Sequence, residues 1–155
     1  MSDGTTNESK FYIGPVNASE ADASAYAAVT WVEVKRLDSL PNIGGKDNVI
    51  SYTTLDDNVI NKKKGATNYG SGNVVVIDLD SDPGQIAMGA AKKTKFSYCF
   101  KTVVPTANSV SGTDGITYYH ALVTSDEQQY GGDGQPLKRS FGLELVDEPV
   151  RVAAS

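Results

Sequence analysis

A chain of 155 residues and 16.4 kDa has the length of one domain, enough to bury a core without disulfide or metal staples. Its 14 Lys and Arg against 19 Asp and Glu give a formal charge of -5, which argues against a basic surface that reads nucleic acid, and 21% charged residues is too few for a disordered chain. One cysteine and one histidine exclude a disulfide framework within the chain and a zinc site built within it from four cysteine and histidine ligands.

Residues 1–28 are polar and rich in small side chains, and they read as an N-terminal arm with Phe11, Tyr12 and Ile13 as an anchoring patch. The opening MSDGTTNESK has neither the basic nor the apolar segment of a secretory signal, so the expectation is a soluble protein made in the cytosol. The longest apolar run, residues 25–29, is far short of the roughly 20 residues needed to span a bilayer. Residues 29–37 predict the first clear strand, with Val32 and Val34 on one face and Trp31, Glu33 and Lys35 on the other. Pro41, Gly44 and Gly45 break the pattern, and residues 48–54 predict a second strand. Residues 55–72 are polar and carry Lys62, Lys63 and Lys64 together; this reads as a long loop, a feature that is usually functional or mobile.

Residues 73–80 predict a third strand, with Val75, Ile77 and Leu79 on one face and Asp78 and Asp80 on the other. Asp82 then has the chemistry of a helix N-cap and Pro83 that of a first helical residue, with Lys92 and Lys93 near the helix end where the dipole favours cations. Residues 95–104 alternate Phe96, Tyr98 and Phe100 with Ser97, Cys99 and Lys101. Two turn-rich loops, 105–115 and 125–135, flank a strand over 116–124. Residues 137–146 predict the last long strand, with Phe141, Leu143 and Leu145 on one face, and Pro149 ends it. A core domain over 29–147 and a C-terminal tail over 148–155 follow. Val, Ile, Thr and aromatic residues make up 48 of 155 positions, which favours strands. The expected fold is mainly β: a sandwich or barrel of about six to eight strands with one short flanking α-helix and long loops.

The motifs that carry chemistry fail on inspection. Asp78, Asp80 and Asp82 begin like a calcium-binding loop, but Pro83 stands where that loop needs Gly and Gly89 where it needs Glu. Gly70-Ser71-Gly72 lacks the third glycine and the following helix of a dinucleotide fingerprint. His120 and Cys99 are the only pair available for a nucleophilic dyad, and Cys99 alternates with aromatics as a buried small hydrophobe does. No catalytic, metal or cofactor-binding set is singled out. The profile is that of a structural or interaction protein rather than an enzyme.

Several segments together carry a resemblance. Trp31-Val32-Glu33-Val34 precedes a Pro-Gly loop; a strand ends in Thr53-Thr54-Leu55-Asp56-Asp57. A long polar loop closes in Lys64-Gly65-Ala66 and Tyr69-Gly70, and the strand 74–79 and the segment 82–91 follow. Over residues 29–104, with a compatible strand pattern to 147, the sequence resembles the major tail tube proteins of long, non-contractile-tailed bacteriophages. The resemblance implies a β-sandwich flanked by a helix. It implies subunits that close into hexameric rings and stack into a hollow tube, a fold shared with the type VI secretion tube. Its implied partners are further copies of itself, the tape-measure protein, a tail terminator and a baseplate-side initiator. It further implies that DNA passes through the lumen without specific binding, with no membrane and no cofactor involved. The implied location is the virion, after synthesis and assembly in the host cytoplasm.

On that resemblance, the loop 56–70 is the candidate for reaching the adjacent ring, through Asp56, Asp57, Lys62, Lys63, Lys64 and Tyr69. Its lysines have Asp147 and Glu148 as acidic counterparts. Asp78, Asp80 and Glu144 are the candidates for an acidic lumen wall that repels phosphate. Two other readings stay open: a ring-forming terminator of the same fold, and a β-sandwich carbohydrate-binding or adhesion module using Tyr118, Tyr119 and Tyr130.

Overall fold

The computed structural model describes residues 8–16, 23–56, 58–106 and 110–155. In chain order these form β1 (Lys10–Val16), α1 (Ala23–Ala27), β2 (Val32–Val34), β3 (Leu37–Ser39), β4 (Lys46–Tyr52) and β5 (Asn61–Asn68). There follow β6 (Ser71–Ile77), α2 (Pro83–Lys92), β7 (Tyr98–Val104), β8 (Gly115–Gln129), β9 (Lys138–Leu145) and β10 (Val150–Val152).

Alternating residues give β1, β7, β8 and β9 a buried face, and strand pairing puts those faces together. One antiparallel sheet runs in the order β2-β1-β7-β8-β9-β6-β3. In register, Val74 faces Phe141, Val123 faces Leu143, Ala121 faces Leu145, Phe100 faces Tyr119, and Ile13 faces Phe100. These side chains form the main core, with Met88 and Ala91 of α2 laid over them. The opposite face of β7 and β8 carries a smaller cluster of Cys99 and Tyr118, covered by Tyr26 of α1 and by Trp31, Val150 and Val152. β8 is fifteen residues long, so it serves β7 along its first half, β9 along its second, and β10 at residues 116–118.

β2 and β3 are separated only by Lys35 and Arg36, yet they lie at opposite ends of the sheet. The sheet therefore curls until its ends approach. They do not pair with each other, so the barrel that the sequence allowed does not close; α2 bridges the gap. Asp82 caps the helix by accepting from the Gln85 backbone N–H at 3.2 Å, and Pro83 opens it, as the sequence predicted. The Gln85 amide then pins the two sheet ends. It donates to the carbonyls of Lys35 (3.2 Å) and Ile77 (3.0 Å) and accepts from the Leu79 N–H (2.9 Å). Gly84 is required by proximity, since a Cβ there would stand 2.2 Å from the Glu33 carbonyl oxygen.

The structure alters several sequence readings. The six predicted strands are all present, as β2, β4, β6, β7, β8 and β9, though the first is cut to Val32–Val34 by the corner at Arg36. Four more strands occur among the described residues: β1, β3, β5 and β10. Phe11 and Ile13 of β1 lie in the main core. A second helix, α1, packs on the far face. The stretch expected as a long loop contains β5, paired to β4 from Lys46↔Asn68 to Tyr52↔Asn61. Its sequence NKKKGATN shows no alternation because no residue of β5 is buried; β5 has no buried face to mark. On β6, Val74 and Val76 are the buried residues, not Val75 and Ile77. The run Val74-Val75-Val76-Ile77 is apolar at every position, so alternation did not fix its facing.

Candidate assembly surface

The β4–β5 hairpin stands apart from the body. The two strands pair with each other and with no other strand. Val49 and Ile50 on β4, Tyr52 at its end, and Leu55, Val59 and Ile60 around the tip are all exposed, and Leu55 is fully so. Val49 faces Lys64 across the ladder and Ile50 faces Lys63, so each face mixes an apolar side chain with a cation. Lys62, Lys63 and Lys64 are exposed; Lys64 pairs with Asp47 at 3.7 Å. Asp56 is exposed in the tip, and Asp57 lies outside the described residues.

Tyr69 sits at the other end of the hairpin. It packs against the main core, and its carbonyl accepts from the Gly44 N–H at 3.3 Å. The next residue, Gly70, has φ +110°, and a Cβ there would stand 3.2 Å from the Gly44 oxygen. Its carbonyl accepts from the Leu145 N–H at 3.0 Å, tying the hairpin root to β9. The structure thus places Asp56 at the tip, the lysines along β5 and Tyr69 at the root, rather than all six expected residues in one loop.

The three acidic residues expected on one surface separate. Asp78 continues the core-facing side of β6, and its side chain is 8% exposed with Arg139 at 4.0 Å. Arg139 makes a two-pronged bond to Asp126, Nε to Oδ1 at 3.1 Å and Nη2 to Oδ2 at 2.6 Å, and its guanidinium lies 5.0 Å from the Phe141 ring. The Arg139 pKa is raised, first by the hydrogen bond to Asp126 and further by the charges of Asp126, Asp78 and Asp80. Asp80 is exposed and lines a cleft of about 670 Å3 with Asp126, Glu127, Gln128, Tyr130 and Arg139. Glu144 is exposed on β9 between the buried Leu143 and Leu145, opposite Ser71 and Leu122.

Two features escaped the sequence reading. Cys99 and His120, which the sequence offered as a dyad, are cross-strand partners in register and both are buried, an arrangement the sequence did not show. His120 instead holds the fold together: the Tyr26 hydroxyl of α1 lies 3.1 Å from its Nε2, and Asp147 lies 3.2 Å from its Nδ1. The second feature is Lys101, whose ammonium lies 4.3 Å from the Tyr12 ring centroid and 5.2 Å from that of Trp31; partial burial lowers its pKa. Neither signal is visible without knowing which strands are neighbours.

No family model matches the chain, and no curated protein matches it. Solved structures do. The SPP1 tail tube superimposes with TM-score 0.65 at 15% identity, covering 96% of this chain and 78% of that one. A chain of the anti-feeding prophage baseplate superimposes with TM-score 0.65 at 14% identity, covering 99% of this chain and 98% of its own. A type six secretion system protein matches at TM-score 0.45 and 11% identity, covering 94% and 92%. Matched nearly end to end by the first two, this chain has the tail tube fold.

Proposed function

We propose that this chain is a structural tail subunit that closes into hexameric rings, and that the rings stack into a hollow tube. The tube encloses a tape-measure protein during assembly and conducts DNA during infection, in a virion assembled in the host cytoplasm. A terminator and a baseplate-side initiator bound its two ends. The observation that carries the reading is the β4–β5 hairpin. It holds Val49, Ile50, Tyr52, Leu55, Val59 and Ile60 in solvent on an element with no core of its own. A chain that works alone gains nothing from that exposure, whereas a subunit buries it against the next copy. The tail tube fold supports the same reading.

The hairpin reaches the adjacent ring, with Lys62, Lys63 and Lys64 facing Asp147 and Glu148 of the neighbouring copy. Asp80 and Glu144, both exposed, contribute to an acidic lumen along which phosphate slides without releasing counterions. Asp78 acts one layer behind, beside Arg139. The test is negative-stain electron microscopy with light scattering across rising protein concentration, repeated with the initiator and tape-measure complex. Hollow tubes or stacked rings are expected. A protein that stays monomeric under both conditions refutes the reading.

A further inference from the structure

The corner between β2 and β3 carries features that folding does not explain. Arg36 has φ +59°, in the left-handed region where glycine and asparagine are at ease and a long side chain is strained. One other non-glycine described residue shares this conformation, Glu8 at φ +63°. Both line one groove of about 640 Å3, with Ser9, Lys10, Lys35 and Asp38. The Ser9 hydroxyl is buried in its wall without a hydrogen-bond partner among the described residues. Strain at two positions and an unsatisfied hydroxyl therefore meet at one place.

The backbone of the corner has a structural role, because the Arg36 carbonyl accepts from the Ile77 N–H at 2.8 Å. Glycine would fill that role without strain. The Arg36 side chain fills no visible one. It is exposed, and neither it nor the exposed Lys35 ammonium forms an ion pair among the described residues, although Glu8, Glu33 and Asp38 line the same groove. Asp38 is engaged by Lys138 at 3.3 Å.

We propose that Arg36 anchors a contact between copies of this chain, its guanidinium and the Lys35 ammonium receiving a carboxylate that a second copy lowers into the groove. A planar fork suits a carboxylate, and Arg36 is exposed at the corner. The charge balance fits this occupant. The chain carries five more carboxylates than basic side chains, and Glu127 and Asp133, which the hairpin and the lumen do not use, are exposed. This rests on the assembly reading above.

The test is Arg36→Gly, with Arg36→Lys beside it. Arg36→Gly relieves the strained backbone, so the unassembled variant melts at or above the wild-type temperature. Its assembly threshold rises about tenfold or more, and assembly loses part of its sensitivity to salt. Arg36→Lys keeps the charge and recovers part of the loss. If Arg36→Gly polymerises at the wild-type concentration, the inference falls and the assembly reading stands. If it melts lower and assembles less in step, Arg36 is structural and the inference falls. If the wild-type chain itself forms no tubes, the assembly reading fails first and takes the inference with it.

Discussion

Gln85 shows how much one side chain decides. Its amide satisfies two carbonyls and one N–H on two segments, the β2–β3 corner and the end of β6. Gln85→Leu keeps the volume but leaves those groups unpaired, at a cost of about 3 kcal/mol or more, read as a shift in urea midpoint. Gly84→Ala forces a methyl into the Glu33 backbone and costs about 2–3 kcal/mol by the same measurement. Tyr119 gives a pH-dependent case. It is buried, with its hydroxyl 3.2 Å from Thr102 Oγ1, and burial raises its pKa above the ordinary 10.0. An acid whose folded pKa is raised contributes stability in full below its unfolded value, and that stability is lost as pH rises past 10. Tyr119→Phe is therefore less stable than wild type by about 1 kcal/mol at pH 7, and the gap narrows above pH 10 in paired urea titrations.

At the scale of the element, the hairpin is the informative case. The β4–β5 hairpin pairs with no other strand and buries no large apolar side chain. Replacing residues 46–68 by a short Gly-containing turn should leave the thermal melt within a few degrees of wild type while abolishing assembly. Leu55→Asp with Ile60→Asp should do the same without shortening the chain. Reversing the charge of Lys62, Lys63 and Lys64 to Glu should shorten or prevent tubes; tubes of unchanged length would show that β5 does not meet an acidic neighbour. Helix α2 behaves oppositely. Met88 and Ala91 are buried and Gln85 is its anchor, so lesions there lower the melt before they touch assembly.

At the scale of the whole molecule, a sheet that curls without closing leaves two edges, β2 and β3, and both meet at Arg36. Unpaired edges are a liability in a protein that works alone and a resource in one that assembles. The hairpin projects from one part of this body, and the groove of Arg36 opens at the corner. Two contact surfaces of different chemistry, one apolar with lysines and one charged, suit a subunit with neighbours both within a ring and between rings. Salt should therefore raise the threshold for assembly through the charged contacts, read as a higher critical concentration in light scattering.

The sequence alone determined the β class, the presence of six of the strands, the helix with its Asp82 cap and Pro83 start, and the buried face of β9 with Phe141, Leu143 and Leu145. Each of these is written in local periodicity or capping chemistry, which needs no partner to be read. The resemblance in residues 29–104 pointed to the tail tube fold before any neighbour was placed. What only tertiary structure decided is everything that depends on which strands are adjacent. β5 has no apolar pattern because both its faces meet solvent; the facing of β6 is ambiguous because every residue there is apolar; Asp78 turns inward because Arg139 is waiting on β9. The meeting of Glu8 and Ser9 with Arg36 in one groove follows from the antiparallel pairing of β1 with β2, in which Phe11 faces Val34, and no local pattern in the sequence announces that pairing.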